Sequence, residues 1–129
     1  MGLIYLDSSV ALRAILNCEE RTNVQQWLDT PGATFVSSRL LKTEVLRVLR
    51  KDDRPLVEAL PLLERVGLID ITREIHTLAE SIERHVKTRD ALHLGTALFI
   101  GERIKVATHD AGMKAAAQHL GLHVVDPVL

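Results

Sequence analysis

Two aspartates in this sequence follow short apolar runs that have the length of β-strands. Asp7 comes directly after the run at residues 3–6, and Asp110 follows a second run at residues 104–108 through His109. Because ligands in open α/β sheets bind outside the carboxyl ends of the strands, both acids are predicted at a functional edge. Asp is also a favoured helix N-cap, so each of them taken alone has a purely structural explanation.

Two further acids belong to predicted helices with unusual surroundings. Glu44 lies at the edge of the apolar arc of the helix at residues 39–51, where it can also pair with Arg47 or Lys51. Asp90 opens a helix in which residues 91–101 contain no Asp, Glu, Lys or Arg, so that helix is predicted to be buried. Helix capping and the helix dipole would account for Asp90 alone, and a core His93 on the same face could hydrogen-bond to it.

If these four carboxylates converge, their mutual repulsion has to be relieved. Two ionised groups about 4 Å apart repel by about 4 kcal/mol at an effective dielectric constant near 20. A domain that is stable by about 5 to 15 kcal/mol cannot carry several such pairs, so some acids must be protonated or a cation must lie among them. With one cysteine and no clustered histidines, an all-oxygen ligand set favours Mg²⁺ or Mn²⁺ over zinc.

Apolar runs and helical patterns alternate along the chain, which predicts a doubly wound α/β fold with a mainly parallel sheet. The predicted strands lie at residues 3–6, 34–36, 68–71, 104–108 and 122–125. The predicted helices lie at residues 10–16, 23–29, 39–51, 56–66, 74–85, 88–103 and 111–120. Pro61 should split or kink the fourth of these helices, because proline lacks the backbone N–H.

Length and composition predict one soluble domain in a reducing compartment. The chain has 129 residues with 47% hydrophobic and 26% charged, the range of ordinary globular proteins. Its single cysteine cannot form an internal disulfide, and no signal peptide or membrane-spanning stretch is evident, so a cytoplasmic location is expected. A net charge of -1 supplies no overall attraction for polyanions, so any nucleic-acid binding must be local.

The best local basic stripe lies on the helix at residues 39–51. It contains Arg39, Lys42 and Arg47, followed by Arg50 and Lys51. A solvated helix face explains these charges, and contact with an RNA backbone is the alternative. Since aromatic residues make up only 3% of the chain, recognition of a folded RNA by shape at a loop is expected rather than stacking along an extended strand.

Four short motifs, taken together, resemble those of the PIN-domain ribonucleases, most closely the VapC-type toxins of bacterial toxin-antitoxin pairs. They are LDSS at residues 6–9, SSRLLKTE at 37–44, RDALHLGTAL at 89–98 and VATHD at 106–110. The resemblance covers residues 1–129 as a single PIN-like domain. It implies about five short, mainly parallel strands flanked by helices.

The resemblance also implies a function and a set of functional residues. It assigns a Mg²⁺ or Mn²⁺ site that hydrolyses RNA phosphodiesters to Asp7, Glu44, Asp90 and Asp110. Ser9 matches the family's hydroxyl after the first acid, and Thr108 lies in the motif of the last acid, so both would orient ligands or water, with His93 nearby. The family further implies a tRNA or ribosomal RNA loop as substrate, a small VapB-type antitoxin as partner and a homodimer.

Two other functions compete with this one. A phosphoacceptor receiver domain also collects acids at strand ends, but it needs a lysine after its last strand, where this chain has Asp126 and Pro127. A catalytically inactive PIN-like module that binds RNA or another protein would keep the same architecture. A cleavage assay with and without metal separates the second alternative from an enzyme.

Overall fold

The computed structural model describes residues 2–101 and 103–129, so Met1 and Glu102 lie outside the description. Its five strands form one sheet in the order β3-β2-β1-β4-β5, and every neighbouring pair is parallel. The strands are β1 (Gly2–Leu6), β2 (Ala33–Ser38), β3 (Val66–Ile69), β4 (Lys105–Ala107) and β5 (His123–Val125). The predicted α/β class with a five-stranded parallel sheet is confirmed.

Seven α-helices in the described residues flank the sheet. They are α1 (Ser8–Ala11), α2 (Arg21–Leu28), α3 (Arg39–Lys51), α4 (Leu60–Leu63), α5 (Arg73–Glu80), α6 (Thr88–Ile100) and α7 (Ala111–His119). Two 3₁₀ turns, Leu12–Ala14 and Leu56–Ala59, continue α1 and precede α4. No helix within residues 2–101 and 103–129 is long and apolar enough to cross a bilayer.

The direction of the strand order reverses between β1 and β4. The chain runs outward from β1 through β2 to β3, then returns to the other side of β1 for β4 and β5. Such a reversal opens a crevice at the carboxyl ends of the two central strands. Asp7 follows β1 and Asp110 follows β4 by three residues, so both lie beside this crevice.

The sheet separates two apolar clusters, and β1 contributes to both. Ile4 and Leu6 face the cluster formed with the helices between β1 and β3, whereas Tyr5 faces the cluster formed with α6 and α7. Side chains alternate between the two faces of a strand, so a strand buried on both faces reads as a continuous apolar run. This is why the run at residues 3–6 shows no alternation.

Several predicted helix bounds are wrong. The helix predicted at residues 74–85 is α5 and ends at Glu80, where the Ser81 hydroxyl donates back to the Leu78 carbonyl at 2.7 Å. The helix predicted at residues 88–103 is α6 and ends at Ile100, because Gly101 adopts a φ of 133° that side chains rarely allow. Residue 102, part of that prediction, lies outside the described residues.

Two regions are less regular than predicted. The helix predicted at residues 10–16 is the short α1 followed by a 3₁₀ turn, and the one at 56–66 is a 3₁₀ turn followed by α4 with Pro61 in its first turn. As a result β3 begins at Val66, two residues before the predicted strand at 68–71. Helix α6 was predicted to be buried, but its buried residues are confined to positions 93–97, and Phe99 near its end is 48% exposed.

Candidate functional site

Asp7 lies at the end of β1 with its side chain buried and hydrogen-bonded. Its Oδ2 accepts from the Ser9 hydroxyl at 2.7 Å and from the Thr108 hydroxyl at 2.8 Å. Its backbone carbonyl accepts the first amides of α1, but its carboxylate does not cap that helix. The alternative explanation of Asp7 as a side-chain N-cap is therefore wrong, and the carboxylate is oriented by two hydroxyls instead.

Asp110 is tied to the same two hydroxyls through the backbone of its own loop. The His109 amide donates to Ser9 Oγ at 2.9 Å, and the Asp110 amide donates to Thr108 Oγ1 at 3.1 Å. Asp110 is also the N-cap of α7, since its Oδ1 accepts from the Met113 amide at 3.0 Å. For this residue the structural explanation holds, and it leaves Oδ2 without a capping role.

Asp90 lies in the first turn of α6 and is not its N-cap, because the helix begins at Thr88 and Lys87 is the N-cap residue. Its side chain is only 15% exposed. Burial raises the pKa of Asp90, and the negative charges of Asp7 and Asp110 raise it further, while Arg89 and His93 act in the opposite direction. Asp90 thus lies within electrostatic range of both acids that follow the strand ends.

Glu44 is held by a buried chain of hydrogen bonds that crosses from the sheet to α6. The Ser38 amide donates to the Tyr5 hydroxyl at 3.1 Å, Tyr5 donates to His93 Nδ1 at 2.6 Å, and His93 Nε2 donates to Glu44 Oε1 at 2.5 Å. Burial raises the pKa of Tyr5, which keeps its phenol protonated as a donor. This series of hydrogen bonds fixes one carboxylate oxygen of Glu44 at the carboxyl edge of the sheet.

This chain of hydrogen bonds corrects two expectations from the sequence. Glu44 pairs with neither Arg47 nor Lys51, because its side chain points toward α6 and contacts Ser8, Arg89 and His93 instead. The core His93 does not bond to Asp90, since both of its ring nitrogens are taken by Tyr5 and Glu44.

Sequence reasoning missed three residues of the site, namely Tyr5, Ser8 and Arg89. The Arg89 guanidinium lies 3.8 Å from an oxygen of Glu44 and 3.8 Å from an oxygen of Asp90. The Ser8 hydroxyl donates to Glu44 Oε2 at 3.4 Å. Ser8 and Arg89 are sequence neighbours of Asp7 and Asp90 respectively, and that adjacency was the signal available for them.

The basic residues predicted to bind RNA lie on α3. Arg39 and Arg47 are exposed, Lys42 is half-buried, and Arg39 Nη1 lies 3.4 Å from the Thr43 hydroxyl. Because α3 begins immediately after β2, Arg39 lies at the same carboxyl edge as the acids. Arg47 lies about two turns further along the helix.

The donor set and its charge fit a hard divalent cation. Asp7, Glu44, Asp90 and Asp110 offer only oxygen ligands, which Mg²⁺ and Mn²⁺ prefer. Burial is the main cause of the raised pKa of Asp90, and the negative charges of Asp7 and Asp110, which a cation would relieve, add to it. Within the described residues no three His, Cys, Asp or Glu side chains already enclose an ion position, so binding would require these carboxylates to turn toward one another.

Neutralising Asp90 should stabilise the protein in the presence of EDTA. The pKa of Asp90 is higher in the folded chain than its ordinary value of 3.8, so the folded state binds this proton more tightly than the unfolded state. The free energy of unfolding therefore falls as the pH rises from the ordinary pKa of Asp90 through its pKa in the folded chain, and it stays lower at higher pH. We expect Asp90→Asn to raise Tm at pH 7 and to leave it unchanged near pH 3, as measured by thermal unfolding in EDTA.

The sign of this change is diagnostic. A carboxylate that only stabilised the start of α6 would contribute about 0.3 to 1 kcal/mol through the helix dipole, and Asp90→Asn would lower Tm. Loss of the Arg89 contact should contribute little, because its guanidinium is largely exposed. A lower Tm at pH 7 would contradict the electrostatic account of Asp90.

Comparison with known proteins identifies a family and a fold for this chain. The PIN domain family model matches residues 4–118. Ribonuclease VapC47 of Mycobacterium tuberculosis is 25% identical over 132 residues, covering 97% of each chain. A toxin-antitoxin complex from Klebsiella pneumoniae superposes with a TM-score of 0.72 at 21% identity, over 96% of this chain and 97% of that chain.

A second solved structure supports the same fold. Mycobacterium tuberculosis VapC20, described as a sarcin-ricin loop cleaving toxin, has a TM-score of 0.69 at 16% identity, over 88% of this chain and 94% of its own. At 16–21% identity the two solved structures show the fold alone. The family is shown by the PIN domain model, because it matches most of the sequence. The resemblance to VapC-type proteins that the motifs indicate is confirmed, and this chain belongs to the PIN-domain family.

Proposed function

We propose that this protein is a Mg²⁺- or Mn²⁺-dependent endoribonuclease and the toxin of a toxin-antitoxin pair. The observation that carries the proposal is the hydrogen-bonded arrangement at the crevice between β1 and β4, where the Ser9 and Thr108 hydroxyls connect Asp7 to the loop of Asp110. The partly buried Asp90 lies close enough to both acids for their charges to act on it. The membership of this chain in the PIN-domain family and its 25% identity to a ribonuclease support the same activity. The catalytic and metal-binding residues of the proposal are Asp7, Glu44, Asp90 and Asp110.

Each residue of the proposed site has a role that its contacts support. The four acids would hold the ion, and a divalent ion bound there supplies an activated water and charge stabilisation for phosphodiester hydrolysis. Ser9 and Thr108 orient Asp7 through its Oδ2, and His93 orients Glu44. Partners of this kind fix the direction in which a ligand presents its oxygen.

The proposed substrate is a structured RNA loop of tRNA or ribosomal RNA. VapC20, which shares the fold, is described as cleaving the sarcin-ricin loop. On this chain, the proposed backbone contacts are Arg39, Lys42 and Arg47 on α3. Trp27 packs edge-to-face on the buried Phe35 at 5.2 Å between ring centroids, and the exposed Phe99 lies at the opposite end of α6 from Asp90. This placement favours recognition by shape and charge at the acids.

Neutralising the basic residues of α3 should weaken RNA binding in a salt-dependent way. Each lost phosphate contact should reduce the slope of log K against log salt by about 0.7 to 0.9. We expect single Arg39→Gln, Lys42→Gln and Arg47→Gln variants to show this reduction in fluorescence anisotropy titrations with labelled RNA at several salt concentrations. The control is Lys105→Gln, at the amino end of β4 and therefore at the opposite edge of the sheet. Equal slopes for all four variants would remove α3 from the RNA interface.

The proposed partners are a VapB-type antitoxin and a second copy of this chain. The fold neighbour from Klebsiella pneumoniae is a toxin-antitoxin complex, which supports the first of these. The homodimer is carried over from the family resemblance alone, and the proposed cytoplasmic location rests on the single cysteine and on the lack of an evident signal peptide in the sequence.

The proposal is tested by incubating the purified protein with total RNA in Mg²⁺, in Mn²⁺ and in EDTA. Sequencing of the new RNA ends identifies the cleavage sites. We expect discrete cuts at a small number of loop positions with either metal and none in EDTA. Binding without cutting under every condition would reject the enzyme and support the alternative, a catalytically inactive PIN-like binding module.

A further inference from the structure

A second cluster of charged side chains lies behind the loop that carries Asp110. Asp126 follows β5 and its side chain is only 7% exposed. Its Oδ2 accepts from His109 Nδ1 at 2.9 Å and pairs with the Lys114 ammonium, and its Oδ1 accepts from the Val128 amide at 3.0 Å. The proposed reaction uses none of these side chains.

The cluster supports the Asp110 loop from the side opposite to Asp7. On the inner side, the His109 amide donates to Ser9 Oγ, which in turn donates to Asp7. On the outer side, the His109 ring donates to Asp126, and the Thr108 amide donates to the Val125 carbonyl at 3.1 Å. Residues 108–110 are therefore held between the end of β1 and the end of β5.

Lys114 ties the same carboxylate to helix α7. The Lys114 amide donates to the Asp110 carbonyl at 2.9 Å, and its side-chain ammonium pairs with Asp126. One buried carboxylate thus contacts the residue before Asp110 and the first turn of the helix that Asp110 caps. Loss of its charge would release both anchors together.

The Asp126 carboxylate is ionised in this position. Although burial alone would raise it, the hydrogen bonds from Lys114, His109 and the Val128 amide lower the pKa of Asp126 below its ordinary value. Hydrogen bonds to an ionised acceptor are stronger than those between neutral groups. The outer support of the loop therefore consists of charge-assisted contacts.

We propose that Asp126 is a positioning residue, which sets Asp110 and Thr108 in place for metal binding by holding His109 and Lys114. The inference rests on the proposed function, because it assigns Asp110 to the metal site. Asp126 is not one of the four proposed metal ligands and would act only through the side chains that it holds. Residues that orient a metal ligand typically change metal affinity by about 10- to 100-fold when they are replaced.

The test compares Asp126→Asn with His109→Phe and His109→Gln. Asp126→Asn keeps the shape of the side chain and removes its charge. His109→Phe removes the ring N–H that donates to Asp126, and His109→Gln supplies an amide donor in its place. The matched control is Asp29→Asn, which breaks an ion pair with Arg65 at an exposed position away from β4 and β5. Each protein is measured by calorimetric titration with Mn²⁺ and by amide hydrogen exchange, at the same interval below its own Tm.

We expect Asp126→Asn and His109→Phe to weaken Mn²⁺ binding by about tenfold or more and to speed exchange of the His109 and Asp110 amides. His109→Gln and Asp29→Asn should remain close to the original protein. Should Asp126→Asn not fold, the two His109 variants still decide the matter, because that side chain is 30% exposed.

Three results would overturn the positioning role. The first is that Asp126→Asn and His109→Phe leave amide hydrogen exchange at His109 and Asp110 unchanged. The second is that these variants speed amide exchange equally in all five strands. The third is that they speed exchange in the loop at residues 108–110 without changing the affinity for Mn²⁺. Failure of the unmodified protein both to bind Mn²⁺ and to cut RNA would instead reject the proposed function. The exchange pattern would then show separately whether Asp126 holds the loop.

Discussion

Asp7→Asn is expected to reduce metal-dependent RNA cleavage by more than about 100-fold, since replacing residues that merely orient a ligand already costs about 10- to 100-fold. Asp7 is buried at the end of β1, and its Oδ2 accepts from both Ser9 and Thr108. An asparagine oxygen can accept the same two bonds, so the fold should persist. The substitution removes the negative charge that the proposed ion requires.

The measurement is the initial rate of RNA cleavage in Mg²⁺, with circular dichroism as the check on folding. Asp70→Asn is a matched control, because Asp70 follows the edge strand β3 at the same end of the sheet and is exposed. We expect the control to retain its rate within about twofold, as exposed substitutions usually change little. If the folded Asp7→Asn protein cleaved RNA at more than one tenth of the original rate, Asp7 would be removed from the site.

Gly95→Ala is expected to destabilise the protein although it improves helix propensity. A Cβ at Gly95 would lie 2.9 Å from the Ile75 carbonyl oxygen and 3.0 Å from the Ala79 nitrogen, both backbone atoms of α5. These atoms cannot rotate away, so α5 and α6 must separate. The overpacking cost of about 1 to 3 kcal/mol should outweigh the gain of up to about 1 kcal/mol from replacing glycine inside a helix.

The change is measured as the free energy of unfolding in urea. Gly67→Ala in β3 is the control, because a Cβ there would meet Val36 Cγ1 at an ordinary 3.6 Å. Since α6 also carries Asp90 and His93, the Gly95 variant should lose RNA cleavage as well. Equal or greater stability for Gly95→Ala would show that α5 and α6 do not pack this closely.

Most of the fold could be predicted from local patterns. The alternation of apolar runs with helical periods fixes the α/β class, and the length of each run sets the strands to within about two residues. Asp7 directly after the first run and Asp110 shortly after the fourth predict, without knowledge of strand order, that both acids lie at the carboxyl edge of the sheet. That order, with β1 beside β4, arises from packing over long sequence distances and had no local signal.

The contacts that orient the site were the part that sequence patterns could not supply. Tyr5 and His93 are 88 positions apart, and only the packing of α6 on β1 brings them together. Asp126 and His109 meet only because β5 lies beside β4. The helix ends after Glu80 and Ile100 were missed because apolar periodicity encodes neither the hydrogen bond of the Ser81 hydroxyl nor the positive φ of Gly101.

The most direct test of the central claim is an anomalous difference map from crystals grown with Mn²⁺. We expect an anomalous peak between β1 and β4, in contact with carboxylate oxygens of the four acids Asp7, Glu44, Asp90 and Asp110. Mn²⁺ bound elsewhere, or no peak at this edge at Mn²⁺ concentrations that support RNA cleavage, would contradict it.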